Sequence, residues 1–131
     1  MKRIDIICII DDDPIYVFVT KKALESASWS KTVWHFENGK ETYEKLKVCI
    51  LSKENLPDLI LLDINMPIWD GWDFLDEFTQ IPIDKEIIIY LVSSSNNPVD
   101  IKRARNYKKV NNYLIKPITM EKLKKELQSI C

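Results

Sequence analysis

Acidic, hydroxyl and basic side chains stand at the ends of four apolar runs in this 131-residue sequence. Residues 6–10 lead into Asp11 and Asp12, residues 59–62 into Asp63, residues 87–92 into Ser93, and residues 113–115 into Lys116. Crowded carboxylates raise one another's pKa unless a cation compensates them, and an isolated buried charge is costly. Oxygen-only ligands favour a hard cation, and a site with few protein ligands suits Mg²⁺ better than Ca²⁺. The acids therefore predict a magnesium site, provided that the run ends meet.

The same residue types could carry out phosphoryl transfer. Mg²⁺ and Lys116 would neutralise charge on the phosphoryl oxygens, Ser93 would hydrogen-bond one of them, and Asp63 would attack in line. The chain has only two glycines, Gly39 and Gly71, so it contains no glycine-rich phosphate loop and nucleotide binding is disfavoured. The phosphoryl group would therefore arrive already attached to a donor.

The hydropathy pattern predicts five strands that alternate with five helices. The strands are predicted at residues 6–10, 32–36, 59–62, 87–92 and 113–115, and the helices at about 14–28, 43–50, 74–78, 101–107 and 120–130. Strict alternation indicates a parallel sheet with helices on both faces. The count fits a flavodoxin-like (βα)5 three-layer sandwich with strand order 2-1-3-4-5, whose carboxyl edge would collect all four run ends.

Apolar residues at helical spacing mark the predicted inner faces of the helices. The first helix carries them at Ile15, Phe18, Val19, Ala23, Leu24 and Ala27, the fourth at Ile101, Ala104 and Tyr107, and the last at Met120, Leu123, Leu127 and Ile130. The only histidine, His35, falls in the second strand, which is predicted to lie at an edge, so a transition-metal site is disfavoured.

Length and composition are typical of one globular domain without a membrane segment. The net charge of -1 favours neither nucleic acid nor an anionic membrane as a partner, although residues 101–131 alone carry nine Lys or Arg against two Glu. Three cysteines without metal-ligand or disulfide spacing, of which Cys8 is predicted to be buried, fit a reducing compartment. No secretory signal precedes the first strand. We therefore expect a cytoplasmic protein.

These motifs together resemble the receiver domain of response regulators, as found in two-component phosphorelays. The matching segments are Ile9–Pro14 with three consecutive acids, Leu61–Pro67 followed by Asp70-Gly71, Val92-Ser93-Ser94, and Tyr113–Pro117. They follow the family's order across the whole chain. The resemblance thus covers residues 1–131, which we expect to form a single receiver domain with no output domain.

The resemblance implies a role for each matching residue. Asp63 is the implied phosphoacceptor, and Asp11, Asp12 and Asp63 hold Mg²⁺ together with the backbone carbonyl of Asn65. Ser93 and Lys116 would contact the phosphoryl group. Tyr113 matches the aromatic residue that moves inward with Ser93 when the domain switches, and the Lys116-Pro117 bond is expected to be cis.

The implied function is a signalling phosphoacceptor that is not a turnover enzyme and catalyses only its own phosphoryl transfer and autodephosphorylation. A sensor histidine kinase or a histidine phosphotransfer protein would donate the phosphoryl group. Phosphorylation would switch the surface formed by the fourth helix, the fifth strand and the fifth helix, which would bind a downstream protein target. We expect no binding to nucleic acid or membrane, a monomer or weak dimer, and an acidic partner surface.

Several residues keep a purely structural interpretation. Asp11, Asp12 and Asp13 could form a helix N-cap cluster, with Asp13 the strongest candidate for a structural role. Ser93 lies in ordinary loop composition, Lys116 could be a solvated turn lysine, and Tyr113 could be part of the core. Trp69 and Trp72 near Gly71 could be either packed or exposed on a binding loop, and the basic residues at 102–109 could be a solvated face.

Two other functions compete with the phosphoacceptor. A Mg²⁺-dependent phosphohydrolase with an aspartyl intermediate would need a second acid two residues after Asp63, where the chain has Asn65, and a substrate cap. A receiver-like scaffold that no longer cycles would lack a reacting group. The chain also departs from the receiver pattern in two places, because residues 107–112 lack the usual Gly-Ala pair and Ser93 replaces the commoner threonine.

Overall fold

The structure is a computed structural model that describes residues 4–27 and 32–130, without the side chains of residues 129 and 130. Five strands alternate with five helices. In chain order they are β1 Ile6–Ile10, α1 Pro14–Ser26, β2 Thr32–Phe36, α2 Gly39–Leu51, β3 Leu59–Leu62, α3 Gly71–Phe78, β4 Ile88–Ser93, α4 Pro98–Ala104, β5 Val110–Ile115 and α5 Met120–Ile130. The predicted alternation is confirmed.

The five strands form one parallel sheet in the order β2-β1-β3-β4-β5, which confirms the predicted flavodoxin-like fold. Successive side chains of a strand point to opposite faces, and the two cores follow this alternation. Cys8 and Ile10 of β1 pack with α2, α3 and Ala104, whereas Ile7 and Ile9 pack with α1 and α5. The helices therefore form the outer layers of a three-layer sandwich.

Several element bounds differ from the prediction. Helices α2, α3 and α4 begin three or four residues earlier than predicted, and β4 is shifted by one residue. Ala27 caps α1, and Ser28, the predicted end of the helix, lies outside the described residues. Helix α4 ends at Ala104, so the half-buried Tyr107 lies beyond it. Strand β5 begins at Val110, three residues earlier than predicted, because its pairing with β4 continues through a register shift. Boundaries depend on tertiary pairing that residue types alone do not specify.

The predicted inner face of α1 is wrong in part. Val17 and Leu24 are the buried residues of this helix, whereas Ile15, Phe18 and Val19 are 76%, 63% and 59% exposed. Residues 15–19 of the helix are all apolar or aromatic, so spacing alone could not select the face that packs on the sheet. The face predicted for α5 holds for Leu123 and Leu127, which are buried, and for the half-buried Met120, whereas the side chain of Ile130 is outside the described part.

Asp58 joins the strands at the edge opposite the four run ends. Its carboxylate accepts hydrogen bonds from the backbone N–H groups of Asp5 and Ile6, at 2.8 and 3.0 Å, and pairs with Lys85 at 2.8 Å. Burial alone would raise the pKa of Asp58, but these hydrogen bonds and the Lys85 charge outweigh it and hold the pKa below its ordinary value. The ionised carboxylate therefore stabilises this end of the sheet.

Replacing Asp58 with alanine is expected to lower the free energy of unfolding by about 2–4 kcal/mol, because the N–H groups of Asp5 and Ile6 lose their acceptor and Lys85 loses its ion pair. Because its folded pKa is lowered, Asp58 stabilises the protein above the ordinary carboxyl pKa, and this contribution disappears as the pH falls through the folded pKa. Urea unfolding at pH 7 and pH 3 measures both effects. Asp84, the exposed acid that precedes Lys85, is the control, and an equal loss of stability in Asp84→Ala would contradict the prediction.

Candidate phosphoacceptor site

Asp11 and Asp63 lie side by side at the carboxyl edge of the sheet because β1 and β3 are neighbours. Ile10 pairs with Leu62 in the parallel register, and the next residue of each strand is the acid. The Asp63 N–H donates to the Ile10 carbonyl at 2.9 Å, and the Asp11 N–H donates to the Phe36 carbonyl at 3.0 Å. Backbone hydrogen bonds thus place two acids, 1% and 6% exposed, in adjacent positions.

The carboxylates of Asp11, Asp12 and Asp63 form a compact acidic cluster. One oxygen from each lies within 4.8 Å of the others, with Asp12 exposed and the other two buried. Burial and the neighbouring Asp11 charge raise the pKa of Asp63 to about 6, although the Lys116 charge acts in the opposite direction. Three oxygen donors with excess negative charge suit a hard divalent cation. The residues present therefore fit the predicted metal site.

Lys116 brings a positive charge to this cluster. Its Nζ donates to Asp11 Oδ2 at 2.7 Å and lies 3.9 Å from Asp63 Oδ1, and the side chain is only 16% exposed. Lys116 is therefore not a solvated turn lysine. The Lys116-Pro117 peptide bond is cis.

Ser93 is fully buried at the end of β4, on the same edge of the sheet as the acids. Its backbone carbonyl accepts the N–H of Lys116 at 2.8 Å, which holds the ends of β4 and β5 together. Its Oγ accepts the N–H of Ser95 at 3.1 Å. The hydroxyl is therefore held by the loop that follows β4, and a change in its contacts would act on that loop.

Three further residues of the matching motifs are Asp13, Asn65 and Tyr113. Asp13 is the N-cap of α1, since its Oδ1 accepts the N–H groups of Ile15 and Tyr16, so its structural interpretation is correct. Asn65 is exposed in the loop after β3. Tyr113 is half-buried, and its hydroxyl donates to the Ser95 carbonyl at 2.8 Å, which links it to the same loop as Ser93.

The two tryptophans that flank Gly71 differ in exposure. Trp72 is 5% exposed and has the Arg103 guanidinium 4.5 Å from its ring centroid, so it is packed. Trp69 is half-buried and contacts the Tyr43 ring at 5.3 Å. Arg103 and the other basic side chains of residues 102–109 are exposed, as expected for a solvated face.

Three contacts at the site were missed by sequence reasoning. The His35 Nε2 lies 2.9 Å from the Asp11 carbonyl oxygen, the Lys116 Nζ lies 4.2 Å from the centroid of the Tyr16 ring, and the Gly71 N–H donates to the Ile64 carbonyl at 2.8 Å. The His35 contact could have been found from the strand order, since β2 pairs with β1. Tyr16 stands in the first turn after Asp13, so helical spacing already placed it near the acids.

Comparison with known proteins gives a consistent result. A family model described as the response regulator receiver domain matches residues 7–128. The chain is 36% identical over 121 residues to the probable C4-dicarboxylate response regulator DctR of Halalkalibacterium halodurans, covering 92% of this chain and 49% of that protein. This chain thus spans about half the length of that relative.

Solved structures agree with the sequence matches. A two-component response regulator from Cytophaga hutchinsonii superposes with a TM-score of 0.86 and 29% identity, covering 98% of each chain. The Mn²⁺-bound form of the response regulator Rcp1 superposes with a TM-score of 0.76 and 26% identity, covering 96% of this chain and 91% of that one. None of the described helices has the length and apolar character needed to cross a membrane.

Proposed function

This chain belongs to the family of response regulator receiver domains, and we propose that it is the phosphoacceptor of a two-component phosphorelay, with Asp63 as the residue that is phosphorylated. Receiver domains are signalling proteins rather than classical enzymes. The observation that carries the proposal is the position of Asp63 between two further acids and the Lys116 ammonium at one edge of the sheet. The proposed donor is a histidine kinase or a histidine phosphotransfer protein.

In the proposed reaction, an Asp63 carboxylate oxygen attacks the phosphorus of a phosphohistidine. The P–O bond to Asp63 forms while the P–N bond breaks, and the electron pair of that bond leaves with the imidazole. Asp63 is ionised above a pKa of about 6, so the nucleophile is present at neutral pH. Water attack on the phosphorus of the aspartyl phosphate would later return the free carboxylate and inorganic phosphate.

Asp11, Asp12, Asp63 and the backbone carbonyl of Asn65 are the groups that would hold Mg²⁺. Bound Mg²⁺ would supply positive charge against the phosphoryl oxygens. Lys116 supplies a second positive charge from the protein itself, and its 2.7 Å contact with Asp11 keeps its ammonium beside the acceptor. The buried Ser93 hydroxyl would donate a hydrogen bond to a phosphoryl oxygen.

The proposed switch follows from the contacts of Ser93 and Tyr113. The Ser93 Oγ accepts the Ser95 N–H, and the Tyr113 hydroxyl donates to the Ser95 carbonyl. A new partner for the Ser93 hydroxyl would therefore alter the loop that leads into α4. This loop and Tyr113 join the site to the surface formed by α4, β5 and α5. We propose that this surface presents the phosphorylated state to a downstream protein.

The charge of this surface indicates the kind of partner. The chain segment from α4 to α5 carries eight exposed basic side chains, namely Lys102, Arg103, Arg105, Lys108, Lys109, Lys122, Lys124 and Lys125. Such a concentration favours an acidic protein surface and speeds its association at low salt. A protein partner, the absence of nucleic acid and membrane partners, and a monomer or weak dimer remain predictions.

Labelling with a small phosphodonor tests the proposal without a known kinase. In the presence of Mg²⁺, acetyl phosphate is expected to label the protein to near one phosphoryl group per chain, and chelation with EDTA should reduce labelling to background, since three crowded acids repel an incoming anion. Intact-protein mass spectrometry measures the added mass. Absence of labelling with Mg²⁺ present, or full labelling in EDTA, would contradict the proposed reaction.

A further inference from the structure

The Lys116 ammonium has an aromatic neighbour in addition to its two acidic ones. Its Nζ lies 4.2 Å from the centroid of the Tyr16 ring, 2.7 Å from Asp11 Oδ2 and 3.9 Å from Asp63 Oδ1. A lysine within about 6 Å of a ring centroid is attracted by the electron-rich ring face. Three different groups therefore define the position of this one charge.

The surroundings of Tyr16 favour a strong contact of this kind. The tyrosine is half-buried and lines an apolar cavity of about 180 Å³ between α1 and the start of α5, together with Ala23, Leu61, Met120 and Leu123. Lys116 itself is only 16% exposed. A cation over a ring gains most where water is excluded, so this contact is worth more than a similar pair on an open surface.

Tyr16 is also held in place by its own helix. Its backbone N–H donates to the Asp13 N-cap at 3.3 Å, in the first turn of α1. Burial and the charges of Asp11 and Asp63 raise the pKa of the Tyr16 phenol far above its ordinary value, so the ring stays neutral at physiological pH. The helix cap fixes the position of this neutral ring, so the ring can orient the flexible side chain of Lys116.

From these contacts we propose that Tyr16 is a positioning residue, whose ring face holds the Lys116 ammonium between Asp11 and Asp63 for phosphoryl transfer. The proposal rests on the proposed function of Asp63. The lysine side chain has about four rotatable bonds and loses considerable conformational entropy when it is fixed in one geometry. The ring reduces the number of positions that the ammonium can occupy, so Lys116 is already beside the acceptor when the donor arrives.

Two substitutions separate the ring face from the rest of the side chain. Tyr16→Leu keeps an apolar group in the cavity lining but removes the aromatic face. The rate of phosphorylation by acetyl phosphate is expected to fall about fivefold, which corresponds to the loss of a contact worth about 1 kcal/mol. Tyr16→Phe retains the ring and should react within about twofold of the wild type. Tyr43→Leu, which removes another half-buried tyrosine from α2, is the matched control and should react like the wild type.

A spectroscopic measurement tests the position of Lys116 independently of phosphorylation. Protons above a ring face resonate upfield, so the Lys116 side-chain NMR signals should move downfield in Tyr16→Leu and remain upfield in Tyr16→Phe. Unchanged signals in Tyr16→Leu, an unchanged rate, or an equal loss of rate in Tyr16→Phe would overturn the positioning role. If the wild type accepts no phosphoryl group, the proposed function fails instead, and the NMR shift still decides whether Tyr16 orients Lys116.

Discussion

Replacing Asp63 with asparagine is expected to abolish acid-labile labelling by acetyl phosphate and Mg²⁺. The amide has the shape of the carboxylate but lacks its negative charge and its nucleophilic oxygen, so no acyl phosphate forms. Asp63 is 6% exposed and directly follows β3, so the backbone that presents residue 63 should be unchanged. The expected effect is at least a hundredfold loss, comparable with the loss of other covalent nucleophiles. Mass spectrometry after a fixed incubation measures it.

Asp13→Asn is the matched control for this experiment. It makes the same chemical change at the same end of the sheet, but Asp13 acts as the N-cap of α1, and asparagine caps helices equally well. This variant should be labelled like the wild type. Full labelling of Asp63→Asn would show that another residue is the phosphoacceptor. Loss of labelling in both variants would show that removing either negative charge lowers labelling.

Asp63→Asn also has a predictable effect on stability in the absence of metal. Burial and the Asp11 charge raise the folded pKa of Asp63 to about 6, so the wild type should lose stability as the pH rises from about 4 to 6 and stay level above that range. Asp63→Asn avoids this loss and should be more stable at pH 7.5, by up to about 3 kcal/mol. Thermal unfolding in EDTA measures the difference, which should vanish near pH 4.

Gly71→Ala is expected to destabilise the chain segment that presents the phosphoacceptor. A Cβ at this position would lie 2.5 Å from the Asp63 carbonyl oxygen and 2.9 Å from the Ile64 Cα. Both atoms are backbone, so a flexible side chain cannot move aside to relieve the clash. The chain segment that presents the phosphoacceptor must shift instead, at a cost of about 3 kcal/mol in the free energy of unfolding. Urea unfolding and the rate of phosphorylation should both be affected.

The other glycine provides the comparison. A Cβ on Gly39 would lie 2.9 Å from the Phe74 Cβ and 3.0 Å from the Trp69 carbonyl oxygen, away from the Asp63 backbone. Gly39→Ala should therefore destabilise the protein but leave the phosphorylation rate of the folded fraction unchanged. If Gly71→Ala unfolds within about 1 kcal/mol of the wild type, the loop after β3 relaxes more easily than its close packing indicates.

Much of the fold follows from the one-dimensional pattern. Apolar runs such as residues 59–62 are buried on both faces, and strict alternation with helices leaves few topologies, because parallel crossovers are right-handed. The strand order was correct for this reason. The inner face of α1 was not predictable in the same way, because Ile15, Phe18 and Val19 are as apolar as Val17 and Leu24, and only packing against the sheet selects which of them are buried.

The amino-acid sequence by itself determined which chemistry is possible here, since Asp11, Asp12, Asp63, Ser93 and Lys116 each stand at the end of an apolar run. The carboxyl ends of parallel strands share one edge, so residues more than 100 positions apart could be expected to meet. The tertiary structure decided the rest: Lys116 bonds to Asp11 at 2.7 Å rather than to Asp63 at 3.9 Å, and Tyr16 lies against its ammonium. Such choices depend on differences of about an ångström between competing side-chain positions, which residue type and spacing cannot specify.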